Sequence, residues 1–407
     1  MTVRVSKPKF NLREKLSELD VPVGSHGGRI MQSSSTEETF NLVQAGRRNM
    51  VINGGMNINQ RNGTNSVTIP NATGGSYQLD RWAVNEATGG SVSVNMDGDP
   101  PNYPEVSMFS KAMQIACSGT DTSMGSTENL HFFQNIEGYN IVNLGWGTRN
   151  AKPVTLSFWV KTNVPGYYCV GLENNGTDRC CIKQFYHNGS SMWQKFVLTY
   201  PGCGDGTWVT NNGCGIRLRF CLASGTQYDD GVEGQWVTTD ELVIGENQAN
   251  FMSSTSNRFF ITGVQLEEGS VATPFENRSY TDELALCQRY FAVYHPTSQE
   301  RIYIEGSNST HRWWEHPIPP GMRTEPAITK GGTCSTLNIG IAGSLTINSL
   351  SVTGVDNGGA SGTTHPGSMG KVSWRVSTTS TGGTQYTVRH TDGWGNGAGW
   401  IMMQSEI

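Results

Sequence analysis

The chain has 407 residues, enough for two domains and a tail at ~100–200 residues per domain. Only 15% of residues are charged and the formal net charge is −5, which leaves no basic stripe for a nucleic acid. No run of about 18 apolar residues exists, so no membrane-spanning helix is expected.

The N-terminal run MTVRVSKPKFNLREKL lacks an apolar signal core, and no secretory signal is expected. Asn11 and Glu14 take the first and fourth positions of a capping box. Leu12, Leu16 and Leu19 then mark one face of a two-turn helix stopped by Pro22. Isolated helices shorter than ~12–15 residues are marginal in water. That face is therefore expected to dock on partner copies or another protein and to anchor the chain; a frayed tail is the alternative. A Gly/Ser-rich linker at 24–35 and a second short helix at 37–45 complete an N-terminal unit of residues 1–48.

Between residues 49 and 277, strand-like runs alternate with turn clusters: 81–84, 91–95, 111–117, 131–136, 154–161, 167–172, 193–199, 215–222 and 259–266. Leu156, Phe158 and Val160 alternate with Ser157, Trp159 and Lys161, the period-two pattern of a strand with one buried face. Ile216, Leu218 and Phe220 alternate with Arg217 and Arg219 in the same way. With 50 glycines among many Asn, Ser and Thr, the composition is that of an all-β protein with tight turns. Strand number and spacing predict a double-sheet jelly roll rather than a small barrel. No 20–50-residue repeat is present, which counts against a β-helix or a propeller. Nine cysteines, with Cys180 beside Cys181, read as reduced, buried thiols.

The run from Phe259 onward changes character. Phe259, Ile261, Val264 and Leu266 belong to a strand, Gly269 and Pro274 punctuate an extended stretch, and Ser279 with Asp282 signals a helix start. From Thr281, Leu284, Cys287, Phe291 and Tyr294 form one apolar stripe and Leu286, Tyr290 and Val293 another. The predicted connecting helix, 281–296, is apolar on two sides and must be covered on both.

The run ITGVQLEEGSVATPFENRSYTDELALCQRYF resembles a block that recurs in tail-fibre and other appendage proteins of tailed bacteriophages. There it closes a jelly-roll, carbohydrate-binding-module-like domain and leads to a C-terminal receptor-binding tip. The earlier run NMVINGGM at 49–56, continued by Gln60-Arg61 and Asp80-Arg81-Trp82, is similar to the opening of that domain. The resemblance spans roughly residues 37–294. It implies a jelly-roll domain over 49–280 and a virion protein of the tail, made in the host cytoplasm, with a capsid fibre as the alternative. It also implies a trimeric fibre, with Leu284, Cys287 and Phe291 of the two-sided helix as the expected contacts between copies. Its partners would be itself, other tail or capsid proteins, and host surface polysaccharide, with no nucleic acid and no membrane insertion.

Residues 297–407 match no motif. Strands are expected at 301–305, 327–330, 344–352, 370–377, 385–390 and 400–404, with long Gly/Ser/Thr loops at 356–370 and 377–383. They read as a second β-domain and as the receptor-binding tip, since loops on a rigid β scaffold carry binding residues.

No nucleophile motif such as G-x-S-x-G is present. Glycan hydrolysis needs two carboxylates ~5–9 Å apart across a cleft. The acidic clusters Asp97/Asp99, Asp229/Asp230, Glu233 and Glu267/Glu268 read instead as turn residues. The expectation is therefore a non-enzymatic binding protein, with a structural head-fibre or decoration protein and a depolymerase as alternatives. His311 to His316 lacks H-E-x-x-H spacing and the cysteines form no paired C-x-x-C knuckles, so zinc is not expected. No cofactor is expected beyond a structural calcium at Asp97-Gly98-Asp99 or Asp229-Asp230-Gly231, as jelly-roll carbohydrate modules often carry one. For sugar stacking, Trp313, Trp314, Tyr386, His390, Trp394 and Asn396 set aromatics beside polar partners. Trp146 and Trp208, in glycine-rich loops, are similar; core or interface packing is the alternative for each.

Overall fold

The computed structural model describes residues 47–97, 109–245 and 248–294, with residues 28, 30 and 32. In the C-terminal region it describes 305–306, 311–317, 322–323, 327–331, 336–339, 343–356, 371–378 and 400–406. The two expected N-terminal helices, with Leu12, Leu16 and Leu19, lie outside the described residues.

The chain is all-β. Strands β1 (Val67–Leu79), β2 (Trp82–Asp97), β3 (Ala112–Gly119), β4 (Asn129–Glu137), β5 (Val154–Thr162) and β6 (Pro165–Glu173) come first. They are followed by β7 (Cys180–Asn188), β8 (Gln194–Tyr200), β9 (Cys214–Ser224), β10 (Trp236–Val237) and β11 (Arg258–Glu268). All eleven join in one antiparallel sheet, in the order β10-β7-β6-β9-β4-β2-β3-β11-β5-β8, with β1 on β2.

β2 turns this sheet into two layers. Its residues 83–87 pair with β4 and its residues 91–97 pair with β3. The change of layer falls at Gly89-Gly90, where a Cβ on Gly90 would strike the Gly119 carbonyl oxygen. The layers meet through aromatic rings. Phe132 of β4 stacks on Phe220 of β9 at 4.8 Å, Phe158 of β5 meets Phe220 edge-on at 5.1 Å, and Phe259 of β11 lies 5.9 Å from Phe132. All four rings are buried. The result is the expected curled jelly-roll sandwich. The runs at 81–84 and 91–95 prove to be one strand, β2, and β1 and β7 are strands that periodicity does not single out.

Helix α1 (Tyr280–Gln288) starts as the S-x-x-D signal predicts, with Ser279 Oγ accepting from the Asp282 N–H. It stops earlier than expected. Residues 291–294 form strand β12 (Phe291–Tyr294) rather than the last turns of the helix. The remaining strands are β13 (Glu305–Gly306), β14 (His311–Pro317), β15 (Ala327–Gly331), β16 (Thr336–Ile339), β17 (Gly343–Asp356), β18 (Lys371–Thr378) and β19 (Trp400–Gln404). They pair as β12-β19-β15 and as β13-β14-β18-β17-β16.

β19 brings the C-terminal region back to the jelly roll. Glu406 is buried and ion-paired with both Arg81 and Arg61, the latter at 3.0 Å. Arg323 donates to the carbonyls of Ser405 (2.8 Å), Glu406 (3.0 Å) and Asn212 (2.9 Å). The Arg61 and Arg81 guanidinium groups lie over the rings of Phe291 and Tyr290, at 3.6 and 3.5 Å.

This docking corrects the expectation drawn from the two-sided helix. Cys287 and Phe291 have no exposed surface within a single chain. Cys287 packs with Ile52, Ile58 and Tyr290, and Phe291 lies beneath Arg61. Cys287 and Phe291 are covered by the same chain, so neither residue has surface left for another copy. Leu284 is half-buried beside them.

Candidate ligand-binding surface

The two sequence blocks that open and close the jelly roll form one hydrogen-bonded unit. Asn49 donates from Nδ2 to the Val264 carbonyl (3.0 Å) and accepts on Oδ1 from the N–H groups of Val51 and Leu266 (3.0 and 3.1 Å). Glu276 accepts from the N–H groups of Arg48 and Asn49 and from Arg278 Nε. Arg278 also donates to the carbonyls of Asn49 and Val51. Burial alone would raise the Glu276 pKa, but the Asn49 and Arg48 N–H groups and the Arg278 guanidinium outweigh it and hold it below the ordinary range. The clamp lies on the outer face of the β11–β5 layer, where Thr155, Ser157, Thr262, Gln265 and Glu267 are all buried. Glu267 accepts from Thr273, and Glu268 pairs with Lys152 at 2.5 Å and with Asn143 at 2.6 Å. The two carboxylates of that acidic cluster are structural.

The outer face of the other layer is also partly covered. Leu242 and Val243 pack on Cys169, Cys180, Ile182 and Cys221 of β6, β7 and β9. Arg219, expected on the polar side of its strand, is buried there between Glu173 and Asp240, at 2.5 and 2.6 Å. Arg217 pairs with Glu173 at 2.8 Å.

One end of this face stays open. Tyr167 of β6 and Tyr186 of β7 are direct register partners, with ring centroids 5.2 Å apart and planes at 61°. Their exposures are 39% and 52%. By strand alternation Gln184 and Asn188 share this face, half-buried and exposed respectively. Gln248 bridges to Tyr167 along the flank; its Nε2 donates to the Cys221 carbonyl, and its Oε1 has no partner among the described residues. Two open rings beside amides can stack on the C–H face of a pyranose while its hydroxyls find hydrogen bonds.

The tryptophans expected to stack on sugar in this domain do something else. Trp146, Trp208 and Trp236 pack edge-to-face on one another, with centroids 4.6 to 5.5 Å apart. Their indole N–H groups donate to the carbonyls of Lys152, Asp205 and Pro201. Trp146 and Trp208 are buried. The glycines beside them mark tight turns, not exposure.

No protein-family model matches the chain, and no curated protein matches it. Among solved structures, the family 11 carbohydrate-binding module of a Clostridium thermocellum cellulosomal cellulase is 11% identical. That match covers 50% of this chain and 98% of that one, at a TM-score of 0.26. The N-terminal cellulose-binding domain of Cellulomonas fimi β-1,4-glucanase C is 11% identical over 47% of this chain and 90% of that one, at 0.23. The enzymatically active domain of tailspike protein 4 of bacteriophage CBA120 is 11% identical over 49% of this chain, at 0.26, and the match spans 21% of that chain. Likenesses at this level decide neither ligand nor partner.

The C-terminal site residues divide. Tyr386, His390, Trp394 and Asn396 lie outside the described residues. Trp313 and Trp314 fall in β14, where backbone register sets Trp314 opposite Trp374 of β18, and Trp374 opposite Val352 of β17. Among the described residues, no three His, Cys, Asp or Glu side chains converge as a metal site would require. Asp99 of the first calcium candidate lies outside them, and the Asp230 N–H of the second donates to Glu241. Among the described residues eight cysteines are free and buried, and burial pushes thiols such as Cys169 up to about 12. No described helix is long and apolar enough to cross a membrane.

The Tyr167–Tyr186 pair escaped the sequence reading. A signal was present: in the run YYCVGL, Tyr167 takes the non-core position of its strand while Tyr168 is buried. What the sequence could not supply is the register that sets Tyr186 beside it.

Proposed function

We propose that this chain is a non-enzymatic subunit of a phage virion appendage whose jelly roll binds host surface glycan. The observation that carries the binding half is the open Tyr167–Tyr186 pair, bordered by Gln184 and Asn188, on a face that the chain itself covers in part. The virion half rests on the sequence resemblance over residues 37–294. In this reading residues 1–48 anchor the subunit through Leu12, Leu16 and Leu19, and the chain assembles as a homotrimer. Residues 297–407 form a second contact with the host, through Trp313, Trp314, Tyr386, His390, Trp394 and Asn396. Single protein–sugar contacts are weak, and three chains per fibre supply avidity.

Electrophoresis of the native protein through gels cast with bacterial surface polysaccharides tests the binding half. Retarded migration is expected in at least one of them. Joint substitution Tyr167→Ala and Tyr186→Ala weakens it about five- to 150-fold, from two aromatic contacts of about 0.5–1.5 kcal/mol each. Unchanged mobility in every polysaccharide, or full retardation of the double variant, contradicts the reading.

A further inference from the structure

A cavity of about 470 Å3 lies between the opening loop, the turns after β4 and the C-terminal half of α1. Ile52, Leu286 and Tyr290 contribute apolar surface to it. Most of its charged groups are already engaged. Glu137 is held by Arg289 at 2.5 Å and by the Tyr290 hydroxyl at 2.6 Å, and Glu268 by Lys152. Arg278 is held by Glu276 and Glu283. Three groups on the rim are different. Arg47 and Asn140 are exposed, Tyr139 is 61% exposed, and none of their side chains has a hydrogen bond or ion pair among the described residues.

These three groups combine a guanidinium, an aromatic ring and an amide at the mouth of one cavity with apolar surface inside. A guanidinium with no carboxylate partner favours an anionic ligand, and planar carboxylate is its best match. Carboxylates already neutralised by Arg289 and Lys152 oppose such a ligand little. An exposed ring and an amide beside the cation suit a flat, hydroxylated body. The volume falls within the ~300–1,000 Å3 of small-molecule sites.

We propose that this cavity is a second carbohydrate site and takes a hexuronate unit. The sugar carboxylate sits on Arg47, its ring lies against Tyr139, and a hydroxyl meets Asn140. The inference shares the sugar-binding reading in its ligand class but uses none of the residues of the Tyr167–Tyr186 surface.

Isothermal titration of the full chain with α-1,4-digalacturonate and with its uncharged counterpart, α-1,4-galactobiose, tests it. The acidic disaccharide binds more tightly than the neutral one. Arg47→Ala raises its Kd about tenfold or more, Tyr139→Ala also weakens it, and Tyr167→Ala with Tyr186→Ala leaves it unchanged. Both rim residues are exposed, so the variants should keep the wild-type circular dichroism. No binding of digalacturonate, equal binding of the two sugars, or undiminished binding by Arg47→Ala overturns the proposal. Loss of polysaccharide retardation in the double tyrosine variant, with digalacturonate binding intact, would show the two sites acting separately. Retardation by neutral polysaccharide without digalacturonate binding removes the cavity site and leaves the tyrosine surface standing.

Discussion

Burial pushes the Asp80 carboxyl up to about 6, although hydrogen bonds from Gln60 and the nearby Arg61 charge pull the other way. Glu137 and Glu276 sit below the ordinary range of 4.5. Burial would raise both, but Arg289 with Tyr290, and Asn49 with Arg278, outweigh it. The signs of their contributions to stability are therefore opposite. A carboxyl with a raised folded pKa binds its proton more tightly when folded, so its contribution falls as pH rises from about 4 through about 6. A carboxyl with a lowered folded pKa contributes above 4.5, and that contribution is lost as pH falls through its folded value. Asp80→Asn removes the contribution of the raised carboxyl, so the thermal midpoint of the variant, relative to wild type, should rise as pH goes from about 4 to about 6. A variant whose midpoint tracks that of wild type across the window would remove Asp80 from the account.

At the scale of elements, the clamp ties together two runs more than two hundred residues apart in sequence. Asn49, Glu276 and Arg278 serve each other, and Gly54 has no room for a Cβ against the Val264 carbonyl oxygen. Arg278→Ala leaves Glu276 and Glu283 without their cation and two backbone carbonyls without donors. Breaking a buried pair in this way costs about 3–5 kcal/mol, to be read from the denaturant midpoint. Arg278→Lys should recover little, because one ammonium cannot replace the planar fork. A loss under about 1 kcal/mol would mean that the clamp does not hold the two blocks together. Much of the sandwich was legible in the sequence, because Leu156, Phe158 and Val160, like Ile216, Leu218 and Phe220, follow strand periodicity on one buried face. Where the sequence misled, the partner came from far along the chain. Phe291 to Tyr294 continue a helical pattern locally, yet pair with Ile401 to Gln404. β1 contains a proline and two glycines that weaken any strand signal, and β7 has Cys180 and Ile182 on a face buried by Leu242 and Val243.

Over the whole molecule, the jelly roll covers part of both its outer faces with its own chain. The clamp covers part of one outer face, residues around Leu242 and Val243 cover part of the other, and the strand ending at Gln404 returns to lock Glu406 between Arg61 and Arg81. Trp146 and Trp208 are taken up by packing, which shifts the sugar-binding expectation for the jelly roll to Tyr167 and Tyr186. No local pattern could have told these cases apart, since burial of an indole between glycines depends on which loops fold over it. The binding surface can be located directly by hydrogen–deuterium exchange of the full chain, with and without a saturating polysaccharide that retards it in gels. The account predicts new protection in β6 and β7, over Pro165–Glu173 and Cys180–Asn188, centred on the tyrosine pair. Protection confined to other strands, with β6 and β7 unchanged, would contradict it.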